Sequence, residues 1–136
     1  MKHIKEHETE GEKFTGAYCR TIKHLVAPWT VGSSHLWVGV TIIHPGSSSN
    51  PHLHDDAEEV FYVISGSGYI KVGDEEEKIG PGSCIFIPPK TVHQLKNTGD
   101  TELKALAATS PPFSPANFKS AHTPTKDESH SSPEGE

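Results

Sequence analysis

Gly46-Ser-Ser-Ser-Asn-Pro-His52-Leu-His54-Asp-Asp-Ala-Glu58-Glu59-Val60-Phe-Tyr62-Val-Ile64-Ser-Gly66 is the stretch that decides the fold. Its second half, Val60 to Ile64, is β-branched or aromatic at every position and is closed by glycines, which is the composition of a strand. Because the run is apolar throughout instead of alternating, both of its faces are expected to be covered, by a second sheet or a second subunit. Outward from this run the pattern repeats. Short apolar segments at 17–25, 35–43, 69–72, 84–87, 93–96 and 103–108 are separated by Pro45-Gly46, Gly73-Asp74, Gly80-Pro81-Gly82, Pro88-Pro89 and Asn97-Thr98-Gly99-Asp100. Such punctuation makes tight turns. The acidic run Asp74 to Glu77 reads as a solvated hairpin tip and Ser47 to Ser49 as a mobile rim loop. Seven short strands, short connections and almost no helix signal predict an all-β sandwich or barrel.

The two ends differ from this body. Residues 1–13 are dominated by Lys, Glu and His and read as a charged lead-in; 14–118 carries the apolar residues of one core; 119–136 contains no large apolar side chain and is expected to be a disordered tail. A chain of 136 residues is one domain by size. Its net charge of −6 argues against a nucleic-acid partner. No apolar run approaches the ~20 residues of a membrane span, and the start is too charged for a secretory signal, so a cytoplasmic protein with no membrane partner is expected. Cys19 and Cys84 stand alone, with no paired spacing for a disulfide framework or a zinc site.

Chemistry concentrates in the opening stretch. If the chain is extended at His52 and His54, both imidazoles share a face and can share a metal ion, with His93 and one carboxylate converging from neighbouring turns. Parity on a straight strand puts Glu58 on the histidine face and Glu59 on the other. The poor strand formers Asp55-Asp56-Ala57 allow a bend that reverses this phase, so local geometry leaves the carboxylate open.

These residues resemble the cupin superfamily, in which a small antiparallel jelly-roll β-barrel holds one metal through histidines and a glutamate drawn from two motifs. The first motif is matched by Gly46, His52, His54, Glu59 and Gly66, and the second by Gly82, Pro88, His93 and Asn97. Lys90 stands where the second motif has glycine. The resemblance spans roughly residues 35–113. It implies that His52, His54, Glu59 and His93 bind one divalent transition metal, of which Fe, Mn, Ni, Co, Cu and Zn are all compatible with a mixed nitrogen and oxygen shell. It also implies a small-molecule substrate and a homodimer, the latter in keeping with a small core and the apolar strand at Val60. An Fe(II)/Mn(II) dioxygenase acting on a small oxygen-rich acid or aromatic is one reading; a non-redox isomerase, epimerase, decarboxylase or lyase and a non-catalytic metabolite-binding protein are the alternatives. His35 and Tyr62 are the candidate acid or base residues. His3, His7, His24, His122 and His130 read as surface histidines.

Overall fold

The computed structural model describes residues 1–123. Among them nine strands run β1 (Glu12–Phe14), β2 (Arg20–Val26), β3 (Trp37–Ile43), β4 (Glu58–Ser65), β5 (Gly68–Val72), β6 (Glu75–Ile79), β7 (Cys84–Ile87), β8 (His93–Lys96) and β9 (Leu103–Ser110), followed by helix α1 (Pro115–His122). They form a six-stranded sheet in the order β1-β2-β3-β9-β4-β7 and a three-stranded sheet in the order β6-β5-β8, antiparallel throughout. The fold is all-β, a jelly roll. No described helix is long and apolar enough to cross a membrane.

Strand alternation builds the core. On β4, Glu59, Phe61 and Val63 are buried whereas Tyr62 and Ile64 are exposed; on β9, Leu103, Ala105 and Ala107 are buried and Leu106 is exposed. These buried residues meet Ile70, Ile79, Ile87 and Leu95 from the other strands. A tight return from β4 into β5 is made at Gly66, which takes φ 85° and leaves no room for a Cβ beside the carbonyl of Glu102.

Several expectations are corrected here. The segment 75–79 is a paired strand, β6, because its register with β5 satisfies its backbone while its glutamates face water. The serine stretch is not a mobile rim: Ser49 N–H donates to the Leu95 carbonyl at 2.9 Å, Ser49 Oγ accepts from Leu95 N–H at 3.0 Å, and bridges at Ser48 and His52 run it along β8. At the N-terminus the lead-in is tied down, with β1 paired to β2 and Glu6 in ion pairs with Lys23 and Lys104. The segment expected to be disordered, 119–136, begins inside α1, where His122 is 6% exposed; the rest of it, from 124, lies outside the described residues.

Helix α1 has clear local causes. Ser114 Oγ accepts from Asn117 N–H at 3.1 Å, Asn117 Oδ1 accepts from Ser114 N–H at 2.8 Å, and Pro115 follows the cap. Phe118 then packs at an aromatic end of the barrel, against Trp37, Phe113 and His24 at ring separations of 6.2, 5.3 and 4.6 Å. His24 is therefore not a surface residue: its Nδ1 accepts from Trp37 Nε1–H at 3.1 Å, and its Nε2 meets Glu12 at 2.9 Å.

Candidate metal centre

His52 and His93 face each other on adjacent extended segments, joined by a pair of backbone hydrogen bonds of 3.2 and 2.8 Å. Each also fixes its ring through Nδ1, which donates to the Asn50 carbonyl at 2.7 Å in His52 and to the Thr91 carbonyl at 3.0 Å in His93. A carbonyl only accepts, so Nδ1 carries the proton and Nε2 keeps the lone pair. The turn that delivers His93 passes through Lys90 at φ 60°, a left-handed conformation held by Lys90 N–H donating to the His54 carbonyl at 2.8 Å. Lysine thus adopts the geometry that glycine serves elsewhere in the resembled motif.

After His54 the chain bends at Asp55 and Asp56 before β4 begins at Glu58. That break reverses the phase that an unbroken strand would impose. Glu59 is 4% exposed and its Oε1 lies 3.1 Å from His54 Nε2 and 3.2 Å from His93 Nε2, while Glu58 is exposed. Ligand atoms of His52, His54 and His93 lie within 4.8 Å of one another, so these three residues are placed to bind a metal ion.

Burial governs the electrostatics. Desolvation alone would raise the Glu59 carboxyl, but its hydrogen bond with His54 and the attraction of the neighbouring imidazoles outweigh it and hold the group at about 2. Desolvation and the neighbouring imidazoles of His122 and His93 push His52 well below its ordinary value, which keeps it a neutral donor. Nε2 of His93 is buried and has no hydrogen-bond partner. An orphaned lone pair beside a buried carboxylate and two more imidazoles fits a transition metal, and no described residue otherwise satisfies it.

The cluster opens onto a cavity of about 650 Å³ between the segment around His52 and His54 on one side and Phe113 and α1 on the other, with Asn50, Lys90 and Asn117 also in its walls. The two residues expected as acid or base are elsewhere. Tyr62 is 47% exposed, because alternation along β4 sends it outward when Glu59 points in. His35 is exposed in the turn before β3, where its carbonyl accepts from Ser110 Oγ. Neither lines the cavity.

His122, read from the sequence as a surface histidine, stands at this site instead. It is buried on the last turn of α1, with ring centres 4.5 Å from His52 and 5.9 Å from His54; burial, reinforced by the nearby Arg20, His54 and His93, pushes it down to about 3 against the opposing effect of its hydrogen bond to Phe118. Two further buried side chains, Arg20 and Asn50, hold that turn: Arg20 NH2 donates to Asn50 Oδ1 at 2.8 Å and to the His122 carbonyl at 3.4 Å, and Asn50 Nδ2 donates to the Ala121 carbonyl at 3.1 Å. The available signal was Ser114-Pro115 followed by Asn117, a helix start after which Phe118 and His122 fall one turn apart.

Comparison with known proteins agrees with this fold. Over 73 residues, 54% of this chain and 58% of the relative, it is 37% identical to an uncharacterised protein of Methanocaldococcus jannaschii. Over 104 residues, 76% of this chain and 66% of the relative, it is 30% identical to the polyketide synthase CurC of Streptomyces cyaneus. The chain thus spans less than two thirds of the length of these curated relatives. The solved structure of the polyketide cyclase RemF from Streptomyces resistomycificus superposes with a TM-score of 0.73 at 22% identity, covering 96% of this chain and 91% of that one, a likeness of fold. The family model described as Cupin domain matches residues 39–109, just over half of the chain and the span from β3 to β9 that carries His52, His54, Glu59 and His93, and the chain therefore belongs to the cupin family.

Proposed function

We propose that this chain is a metal-dependent enzyme acting on a small oxygen-rich acid or aromatic, with His52, His54, His93 and Glu59 as the metal-binding residues. The observation that carries the reading is the unpartnered Nε2 of His93, buried beside Glu59. Leaving such an atom unsatisfied costs about 1–3 kcal/mol, which bonding to an ion would offset. Three neutral imidazoles and one carboxylate around a divalent cation leave net positive charge, which favours anionic or chelating oxygen ligands. When bound, the ion supplies a Lewis acid for such a ligand and, as Fe(II) or Mn(II), a centre for dioxygen. The chain's own contribution is to fix the donors through the Asn50 and Thr91 carbonyls and to screen one side of the cavity from water with Phe113.

Dioxygenase chemistry is the first form of this proposal. The similarity to CurC, a polyketide synthase, favours a second, non-redox form, because joining or rearranging enolisable carbonyl units needs polarisation and proton transfer and no oxidant. Elemental analysis of protein purified without chelator, followed by turnover of phenolic and keto-acid panels with and without air, separates the two. The expected result is near-stoichiometric Fe or Mn and oxygen uptake matched to substrate loss. Equal turnover without air overturns the dioxygenase form in favour of the second. Failure to take up any metal on reconstitution overturns both and leaves a metabolite-binding protein.

We also propose that two copies of the chain pair through the outer face of the six-stranded sheet. Tyr62, Ile64, Phe86 and Leu106 are all exposed there, on the neighbouring strands β4, β7 and β9. A second copy would supply the cover that the all-apolar run at Val60 to Ile64 calls for.

A further inference from the structure

Helix α1 does more than close the end of the barrel. His122 stands beside the metal-binding cluster on its last turn, with its ring 4.1 Å from that of Phe118 and stacked on it at 27°, and with the His52 ring 4.5 Å away. Its Nδ1 donates to the Phe118 carbonyl at 2.8 Å, back onto its own helix. The lone pair therefore resides on Nε2, which has no hydrogen-bond partner among the described residues. The helix end that carries it is fixed from below: Asn50, which also anchors His52 through its carbonyl, holds the Ala121 carbonyl, and Arg20 holds that of His122. Arg20 is itself immobilised, with its guanidinium 4.4 Å from the centre of the Phe14 ring and NH1 donating to the Tyr18 carbonyl at 2.9 Å. Three buried side chains from β2, the segment before His52 and α1 thus set one imidazole against another.

We infer that His122 is a ligand-recognising residue of this site, its Nε2 accepting a hydrogen bond from a hydroxyl of the oxygen ligand held at the cluster. The inference rests on the metal-dependent reading above and adds a selection rule to it. An imidazole that presents only a lone pair favours ligands carrying a hydroxyl beside their anchoring oxygen, such as α-hydroxy acids, and gives nothing to a bare carboxylate. Arg20 and Asn50 are positioning residues for that acceptor.

Co(II)-loaded protein tests this by its visible spectrum, with glycolate and acetate as the probes. In His122→Phe, which keeps the stacking on Phe118 and removes the acceptor, glycolate affinity is expected to fall by about tenfold, the weight of one hydrogen bond, with acetate affinity unchanged within about twofold. His122→Gln, whose amide oxygen can accept, should recover part of the glycolate affinity. Equal weakening of both probes, or of neither, overturns the inference and leaves His122 a packing residue. Loss of Co(II) itself from His122→Phe overturns it in favour of direct coordination. If the unsubstituted protein takes up no Co(II), the metal-dependent reading fails and this inference with it, whereas a failure confined to the His122 variants leaves that reading standing.

Discussion

On β4, Glu59 points inward onto His54 and His93, and its neighbour Glu58 points to solvent. Exchange of charge for amide or methyl at these two positions should therefore give opposite results. Glu59→Ala and His54→Ala are expected to lower metal content strongly, and Glu58→Ala to leave it unchanged, as read by metal per chain after dialysis. The reverse order for the two glutamates would put the ligand on the wrong residue. A second prediction concerns acid. In metal-free protein His52 and His122 bind protons less readily than they do in the unfolded chain, whose histidines titrate near 6.5, and Glu59 titrates at about 2 instead of 4.5. All three groups are depressed in the folded state, so their stabilising effect is complete above pH 6.5 and is lost as pH falls, through the histidines first and Glu59 below pH 4.5. The urea midpoint of metal-free protein should drop steadily from pH 7 to pH 5; a flat profile would contradict the buried, neutral state of the histidines. Strand parity left the carboxylate undecided, because the choice depends on a bend at Asp55-Asp56 that propensity permits without dictating, and only the cupin motif pointed to Glu59.

At the scale of elements, α1 is the part that composition hid. Its eight residues include only one large apolar side chain, Phe118, and the segment beyond it reads as polar tail. What orders it is tertiary: a reciprocal cap at Ser114 and Asn117, one phenylalanine seated on Trp37, and carbonyls taken up by Asn50 and Arg20. Phe118→Ala should cost about 3–5 kcal/mol, the usual range for a buried aromatic, and Ser114→Ala about 1 kcal/mol. Both are measured by denaturant titration, and a loss below ~1 kcal/mol for Phe118→Ala would mean that α1 is not docked in solution. The strands were easier to read. Segments 84–87 and 93–96 agree with β7 and β8 because turn formers mark them off, Gly82 and Pro88 around the first and Asn97 after the second, whereas β6 was obscured by glutamates that satisfy a strand's backbone yet give no apolar alternation.

For the whole molecule, the apolar outer face of the larger sheet is the feature that an isolated chain leaves uncovered. If two copies pair there, sedimentation at micromolar concentration should give a dimer, and Tyr62→Glu with Phe86→Glu should convert it to a monomer that retains its metal. A monomer in the unsubstituted protein would overturn the pairing. The distribution of the metal-binding residues between sheets has its own consequence. Glu59 sits on a strand of the six-stranded sheet and His93 on a strand of the three-stranded one, with His52 bridged to the latter. An ion held by these residues is a rivet through both layers of the sandwich: the layers cannot slide or part without breaking its bonds, so amide exchange in β4 and β8 should slow in step on loading.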